Sequence, residues 1–278
     1  MPAVPIRFGH ARLGYRWTRY FGWSVRKLHV RGAADALAGL GHLGLRSAVD
    51  TALRPDTRSC NICGWSGSRF YPNVGPGYYE REASCPRCSC IHRYRTLAIV
   101  LGMASDFFSP EKSVIEVAPV RSFQAYCLWR KEGRNYLSFD LERFAMEQGD
   151  LTAMRYADKT CDYFLCYHVL EHVPADVQAL AEIFRVLRPG GTAILQVPID
   201  WSLTDTVEYG RPNERETGHV RRYSDTGFGA RIMAAGFELL KLRPSDLIDD
   251  SLIARHGLSN EPIYFARKPL SAPATPRL

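Results

Sequence analysis

The stretch that decides the fold is SVIEVAPVRSF, residues 113–123. Its β-branched run predicts a buried strand, and an acidic residue, Glu116, lies near the end of that strand before a turn. A strand, an acid and a turn in this order are typical of sheets that bind nucleotide-like cofactors. Such loops are normally rich in glycine, and this one contains none. Either the loop binds no cofactor, or it approaches its ligand in a different way.

Strands and helices alternate from residue 113 to residue 269. The further strand segments are NYLSFDL (135–141), CDYFLCYHV (161–169), TAILQVPI (192–199), ELLKL (238–242) and PIYFARK (262–268). Helical segments lie between them, among them ADVQALAEIFRVLRPGG (175–191), in which the Pro-Gly-Gly run is expected to end the helix. This alternation predicts a largely parallel sheet with helices on both faces. Ligands of such sheets bind beyond the carboxyl ends of the strands, where the strand order reverses.

Two C-x2-C pairs precede the alternating region. CNIC and CPRC place Cys60, Cys63, Cys85 and Cys88 at the spacing of two metal-binding turns, and four thiolates fill the coordination sphere of a structural Zn²⁺. A pair of disulfides is the alternative, but a chain without a secretion signal is expected to keep its thiols reduced. Cys90 is left as a spare thiol or an alternative ligand.

The excess positive charge is confined to the N-terminal part. The chain carries a net charge of +7, and residues 1–58 hold 10 Lys and Arg against 3 acids, which leaves 26 residues of each sign elsewhere. Aromatic residues interleave with these arginines, which indicates either peripheral contact with a membrane through residues 11–30 or a helix packed on the main domain. No apolar run is long enough to span a membrane, so we expect a cytoplasmic protein, at most peripheral to the inner face of the membrane.

Four segments are therefore expected. They are a basic, aromatic-containing helical leader (1–58), a zinc-binding module (59–92), a cofactor-binding domain (93–270) and a flexible tail (271–278).

The glycine-free loop discriminates between two cofactors. A nicotinamide nucleotide needs several backbone N–H groups and glycines around its pyrophosphate, whereas Pro119 lacks an N–H and Val120 and Arg121 carry side chains. S-adenosylmethionine has no phosphate, so its loop can tolerate fewer glycines. The sequence favours S-adenosylmethionine.

The region from 113 to 240 resembles class I S-adenosylmethionine-dependent methyltransferases of the methyltransferase-11 type. The segments that carry the resemblance are VIEVAP, FDLE, GDLTAM, CDYFLCYHVLEHV, FRVLRPGGTAILQVPI and HVRRYSDTGFGARIMAAGF. CPRCSCIHRYR together with EVAP is similar to a bacterial subgroup in which a two-CxxC zinc module precedes the methyltransferase and the first loop reads Ala-Pro. That subgroup usually has Glu after Ala-Pro, where this chain has Val120. The resemblance implies an α/β, Rossmann-like sheet of seven mostly parallel strands with a small zinc-ribbon-like module.

The resemblance also assigns roles to single residues. Glu116, Ala118 and Pro119 would lie along the methionine and ribose of the cofactor, Asp140 would take the ribose hydroxyls, and Asp150 with Leu151 would meet the adenine. His168 would lie beside the transferred methyl group, and Leu141 and Tyr167 are further candidates for cofactor contact.

The chemistry requires alignment of the acceptor and, for a hydroxyl, removal of a proton. His168 and His219 are the candidate bases, with His168 the better placed, and each has a structural role as its alternative. Arg221, Arg222 and Tyr223 are candidates to bind an acidic acceptor, and so are Arg93 and Arg95, which could equally be ordinary surface cations. The polar segment 199–218 is expected to be a lid or substrate loop.

The expected acceptor is a small molecule or a glycan. The segment after the fourth strand reads CYHV and lacks the Asn/Asp-Pro-Pro-aromatic pattern of enzymes that methylate base nitrogens, so nucleic acid is the less favoured partner. Two alternatives stay open: an RNA methyltransferase that uses the basic leader, and a zinc-stapled scaffold that has lost its cofactor.

Overall fold

A computed structural model describes residues 56–75, 78–142, 145–213 and 216–270, with isolated positions between 18 and 37. The predicted leader (1–58), its contact surface at 11–30 and the tail (271–278) lie almost entirely outside the described residues. The helices are α1 His92–Ala104, α2 Arg121–Arg130, α3 Asp176–Val186, α4 Asp225–Ala234 and α5 Asp250–His256. The strands are β1 Arg58–Ser59, β2 Ser66–Gly67, β3 Tyr71–Gly75, β4 Tyr78–Ser84, β5 Val114–Val117, β6 Tyr136–Asp140, β7 Glu147–Gln148, β8 Cys161–Tyr167, β9 Leu187–Gln196, β10 Val207–Asn213, β11 His219–Arg222, β12 Glu238–Leu242 and β13 Ile263–Arg267. Among these residues, no helix has the length and hydropathy needed to cross a membrane.

The central sheet has seven strands in the order β12-β13-β9-β8-β5-β6-β7. The pairs from β9 to β7 are parallel, and β13 runs antiparallel to both of its neighbours. This confirms the predicted mostly parallel seven-stranded sheet. After β5 the chain forms β6 on one side of β5, and it later forms β8 on the opposite side of β5. The switch point of the sheet therefore lies between the carboxyl ends of β5 and β8, which is where such folds bind their ligands.

The four cysteines of the CxxC pairs lie in one core with α1 and α2. Cys60, Cys63, Cys85 and Cys88 are buried in the same cluster as Leu97, Leu101 and Phe123. The short antiparallel pairs β1-β2 and β3-β4 surround them. The cysteine module, residues 58–90, is therefore packed directly on the sheet domain.

Two boundaries differ from the prediction. Helix α3 ends at Val186, and the LRPGG segment, expected to end that helix, is the start of β9. The reason is register: Cys161 pairs with Leu187 across a bulge, so β9 extends back along β8. The expected substrate loop contains a strand, β10, which forms an antiparallel ribbon with β11.

Candidate functional site

A cavity of about 860 Å³ opens at the carboxyl ends of β8 and β9. Its wall is formed by residues from several parts of the chain. They are Glu80 in β4 and Arg93 in α1; His168, Glu171 and His172 after β8; Pro198, Ile199, Asp200, Trp201 and Ser202 after β9; Glu216, Thr217, His219, Arg221 and Arg222 in and before β11; and Glu261 before β13. The wall holds five carboxylates and three arginines, so the acids outnumber the arginines. The cavity lies at the carboxyl edge of the sheet, next to the switch point between β5 and β8.

The backbone is strained on both sides of the switch point. Ala118, which follows β5, has φ of 50°, and His168, which follows β8, has φ of 58°. Non-glycine residues pay free energy for this left-handed conformation, and such residues cluster at functional sites. Ala118 therefore adopts, without being glycine, the backbone conformation that glycine favours in this kind of loop.

The ring of His168 is held on both of its nitrogens. Nε2 lies 3.0 Å from Oε1 of Gln196, whose amide is oriented by donation to the Pro262 carbonyl, and Nδ1 lies 3.3 Å from Oε1 of Glu171. Nη1 of Arg93 is 3.0 Å from Nε2 and 3.1 Å from Nδ1. Neither ring nitrogen is left free to take a proton from a methyl acceptor. This geometry therefore favours a positioning role for His168.

His219 keeps one ring nitrogen free. The Thr217 hydroxyl donates to the Glu216 carbonyl at 2.6 Å and therefore accepts from Nε2 of His219 at 3.0 Å. Nδ1 then carries a lone pair and has no partner among the described residues. Burial lowers the pKa of His219 below its usual value, so the ring is neutral near pH 7.

Glu171 is a buried carboxylate beside these histidines. It is 2 % exposed, and its second oxygen, Oε2, has no hydrogen-bond partner among the described residues. Burial alone would raise its pKa, but the hydrogen bond with His168 and the charges of His168 and His172 outweigh burial and lower the pKa. The ring of His172 meets the ring of His219 edge to face, with centroids 4.9 Å apart.

Arg221 is buried and joins the elements that carry these groups. It is 3 % exposed, and its guanidinium donates to the carbonyl oxygens of Leu170, Val173 and Pro174 at 2.9, 2.6 and 2.7 Å. It also pairs with Glu208 and, at 3.5 Å, with the buried Asp176. These contacts occupy its N–H groups and hold the segment after β8 against β11. Arg221 also lines the cavity, and its role in acceptor binding stays a prediction.

The other predicted acceptor-binding residues divide into two groups. Arg93 and Arg222 line the cavity, and Arg222 also pairs with Asp200 and Glu216. Arg95 and Tyr223 do not: both are fully buried, Arg95 donates to four backbone carbonyls, and the Tyr223 hydroxyl donates to Asp176 at 2.6 Å. Neither side chain lines the cavity, because the polar atoms face the interior, and contact of these two residues with the acceptor stays a prediction.

The predicted cofactor residues also divide by exposure. Asp140 is half-buried at the end of β6, and the one hydrogen bond of its carboxylate among the described residues is acceptance of the Glu142 N–H at 3.1 Å by Oδ1. Asp150 is exposed and accepts from the backbone and hydroxyl of Thr152, both at 2.8 Å and both by Oδ1. Each carboxylate thus has a second oxygen without a partner among the described residues, as a ribose or adenine contact requires.

Glu116 and Tyr167 are inside the protein. The Glu116 carboxyl is 1 % exposed and accepts a short hydrogen bond from the Tyr136 hydroxyl, and burial raises its pKa to about 8. The Tyr167 ring is buried against Tyr94, with centroids 5.4 Å apart. Both side chains are enclosed by protein, and their direct contact with the cofactor stays a prediction. Leu141 is exposed, Leu151 is buried, and Ala118 and Pro119 form the turn after β5.

The four cysteines of the two CxxC pairs converge on one point. Their sulfur atoms all lie within 4.8 Å of one another, with Cys60 and Cys88 at 3.8 Å and Cys63 and Cys85 at 3.6 Å. The two turns share one backbone pattern, since Gly64 N–H donates to Cys60 and Ser89 N–H to Cys85, at 2.8 and 2.9 Å. Cys90 is not part of this cluster.

Several cavity residues were not expected from the sequence. Glu80, Asp200, Trp201 and Glu261 were not singled out from the sequence. Asp200 and Trp201 do lie in the polar segment predicted to be a substrate loop, which was the available signal.

Residues 103–195 match the Methyltransf_11 family model, described as a methyltransferase domain. This part of the chain is therefore similar to methyltransferase domains. Two curated relatives match over part of their length. A probable S-adenosylmethionine-dependent methyltransferase of Mycolicibacterium smegmatis is 28% identical over 41% of this chain and 40% of its own length. The sterol 24-C-methyltransferase of Schizosaccharomyces pombe is 26% identical over 42% of this chain and 30% of its own length. The chain thus spans less than half the length of these relatives.

Solved methyltransferase structures are also similar to the domain. The 1,6-didemethyltoxoflavin-N1-methyltransferase of Burkholderia thailandensis has a TM-score of 0.43 and 18% identity, over 63% of this chain and 76% of its own. An S-adenosylmethionine-dependent methyltransferase of Mesorhizobium loti has a TM-score of 0.45 and 13% identity, over 62% of this chain and 96% of its own.

Proposed function

We propose that the protein transfers a methyl group from S-adenosylmethionine to a hydroxyl oxygen of a small-molecule or glycan-type acceptor. The observation that carries the proposal is the position of the cavity at the carboxyl edge of the sheet, next to the switch point between β5 and β8, with a neutral histidine, His219, in its wall.

The cofactor would be held along the carboxyl ends of β5, β6 and β8. Asp140 would accept hydrogen bonds from the ribose hydroxyls, Asp150 and Leu151 would contact the adenine, and the turn at Ala118 and Pro119 would approach the methionine portion. The free carboxylate oxygens and the left-handed backbone at Ala118 fit this assignment. When bound, S-adenosylmethionine supplies an electrophilic methyl group on a sulfonium. The residues of this chain would bind the acceptor, align its oxygen and remove its proton.

Of the two candidate bases, the geometry favours His219. Its Nδ1 carries a free lone pair, whereas both ring nitrogens of His168 already have partners. His168 would instead fix the cavity wall next to the transferred methyl group. This ordering of the two histidines reverses the one expected from the sequence.

The cavity wall supports a hydroxyl-rich acceptor. Its carboxylates, among them Glu80, Asp200 and Glu261, can accept hydrogen bonds from hydroxyl groups. Trp201, which is 53 % exposed, offers an indole face on which a sugar ring could stack. The acidic excess opposes a polyanion, so no feature of the cavity favours RNA.

We further propose that Cys60, Cys63, Cys85 and Cys88 bind one structural Zn²⁺. Zinc–sulfur bonds of about 2.3 Å in a tetrahedron place the sulfurs about 3.8 Å apart, and the pairs at 3.8 and 3.6 Å fit that spacing. The metal would hold β4, and with it Glu80, at the cavity wall. Glu80 pairs there with His92 and Arg93, and despite its burial these partners and Asn73 lower its pKa to about 2.

The proposed activity is tested in two steps with the purified full chain. S-adenosylmethionine is expected to raise the melting temperature, because a ligand that binds only the folded state stabilises it. Incubation with the cofactor and a cell extract is then expected to produce a metabolite heavier by one methyl group, and His219→Ala is expected to lose that product. No thermal shift at millimolar cofactor would contradict the methyltransferase proposal.

A further inference from the structure

Three potential metal ligands meet in the cavity wall, separate from the cysteine cluster. Glu171 and His172 come from the short 3-10 helix after β8, and His219 comes from the start of β11. Each offers a ligand atom within 4.8 Å of the other two. Two imidazoles and one carboxylate on one side of a cation, with further positions open, are a donor set that suits divalent transition metals.

The state of Glu171 is an independent indication of a missing partner. Its oxygen Oε2 is buried and accepts no hydrogen bond among the described residues, although Oε1 meets His168. A buried carboxylate oxygen without a partner costs free energy, and buried charges are usually paired or bound to metals. A cation in contact with Oε2 would remove that cost.

The two histidines can present lone pairs to the same point. Nδ1 of His219 is free because Nε2 donates to Thr217. The ring of His172 is exposed to the cavity, and none of its nitrogens has a hydrogen-bond partner among the described residues. The edge-to-face contact between the two rings, with centroids 4.9 Å apart, keeps both close to Glu171.

Arg221 fixes the positions of the two elements that carry the ligands. It lies two residues after His219, and its guanidinium donates to the carbonyl oxygens that flank Glu171 and His172. Because partners in the outer shell orient metal ligands, this buried arginine gives the cluster a defined geometry.

We propose that Glu171, His172 and His219 bind a divalent cation whose open positions face the cavity and take hydroxyl oxygens of the acceptor. The second half of this statement rests on the proposed function, while the cation site does not. With a cation bound, Nδ1 of His219 is a ligand and cannot act as the base. The cation would then activate the acceptor hydroxyl by lowering its pKa.

The test uses Mn²⁺ as the probe, added to the full chain after its zinc content has been measured. Mn²⁺ prefers oxygen and imidazole ligands to thiolates, so it is expected to leave the cysteine cluster intact. Electron paramagnetic resonance of free Mn²⁺ is expected to show one ion bound per chain, with the zinc content unchanged. Enhanced water-proton relaxation is expected from positions open to the cavity.

Three variants and one control decide the assignment. Glu171→Gln, His172→Ala and His219→Ala are each expected to weaken Mn²⁺ binding at least about tenfold. Glu261→Gln, which removes an exposed acid of the same cavity wall, is expected to bind Mn²⁺ as tightly as the wild type does. His172 is exposed, so its variant is expected to fold, and thermal unfolding checks the other two.

Two results would overturn the proposal: no Mn²⁺ bound at millimolar concentration, or unchanged binding in the His172 and Glu171 variants. Bound Mn²⁺ without enhanced relaxation would overturn the acceptor contact. Because these measurements contain no S-adenosylmethionine, they can fail or succeed independently of the methyltransferase proposal.

Discussion

Nη2 of Arg95 donates a hydrogen bond of 2.9 Å to the carbonyl oxygen of Gly257, and so joins α1 to the residue that follows α5. The same guanidinium donates to Ala83 and Cys90 in the cysteine module at 2.8 and 2.7 Å, and it lies 3.8 Å above the Phe70 ring. Arg95 is therefore a buried connection between the cysteine module and the sheet domain.

Arg95→Lys is expected to destabilise the protein by about 2–4 kcal/mol, because a lysine cannot serve the four carbonyls at once and leaves some of them buried without a donor. Denaturant unfolding followed by circular dichroism measures the change. The matched control is Arg255→Lys, at an exposed arginine that contacts Ser59, for which a change within about 0.5 kcal/mol is expected. Equal effects of the two substitutions would contradict the buried connection.

The two kinds of cysteine in the module are expected to behave differently. Cys88→Ser removes a proposed zinc ligand, so the purified variant is expected to lose most of its metal and to melt at a lower temperature. Cys90→Ala should keep one zinc per chain, because its sulfur lies outside the four-sulfur cluster. Elemental analysis by mass spectrometry measures both. Full zinc in the Cys88 variant would disprove the four-thiolate site.

Asp140 is expected to determine cofactor affinity. Asp140→Ala should weaken S-adenosylmethionine about 10- to 100-fold, since hydrogen bonds to a charged group contribute about 1.5–3 kcal/mol. Calorimetry measures the dissociation constant directly. Asp158→Ala, at another exposed acid, is the control and should bind the cofactor like the wild type. Unchanged affinity in the Asp140 variant would remove this residue from the site.

Glu116 is expected to make stability depend on pH. Its carboxyl faces Tyr94, Cys127 and Tyr136, and burial raises its pKa from 4.5 to about 8. Between these two values the folded protein holds a proton that the unfolded chain has released. The stabilisation is therefore complete below about pH 4.5 and is lost as the pH rises through about 8.

Glu116→Gln removes this titration while keeping an acceptor for the Tyr136 hydroxyl. The melting temperature of the wild type is expected to fall more than that of the variant between pH 6 and pH 9. Parallel curves for the two proteins would show that Glu116 does not titrate in this range.

Much of the fold was predictable because it depends on local patterns. Apolar runs of strand length alternating with helical segments indicated the parallel sheet, since each run must be buried on both faces. The start of β9 was not predictable in this way: Pro189 and Gly190 normally end a helix, and only pairing with β8 shows that this segment is already a strand.

Local patterns predicted the sheet, the four-cysteine cluster and the acids at strand ends, because ligand spacing within a CxxC turn and periodicity within a strand are local properties. Which polar side chains face the cavity depended instead on how distant elements pack together. Arg95 and Tyr223 are buried, while Glu171 and His172 meet His219 from a distant strand. The physical reason is that the direction and desolvation of a side chain depend on elements far away in the chain, which no local pattern records.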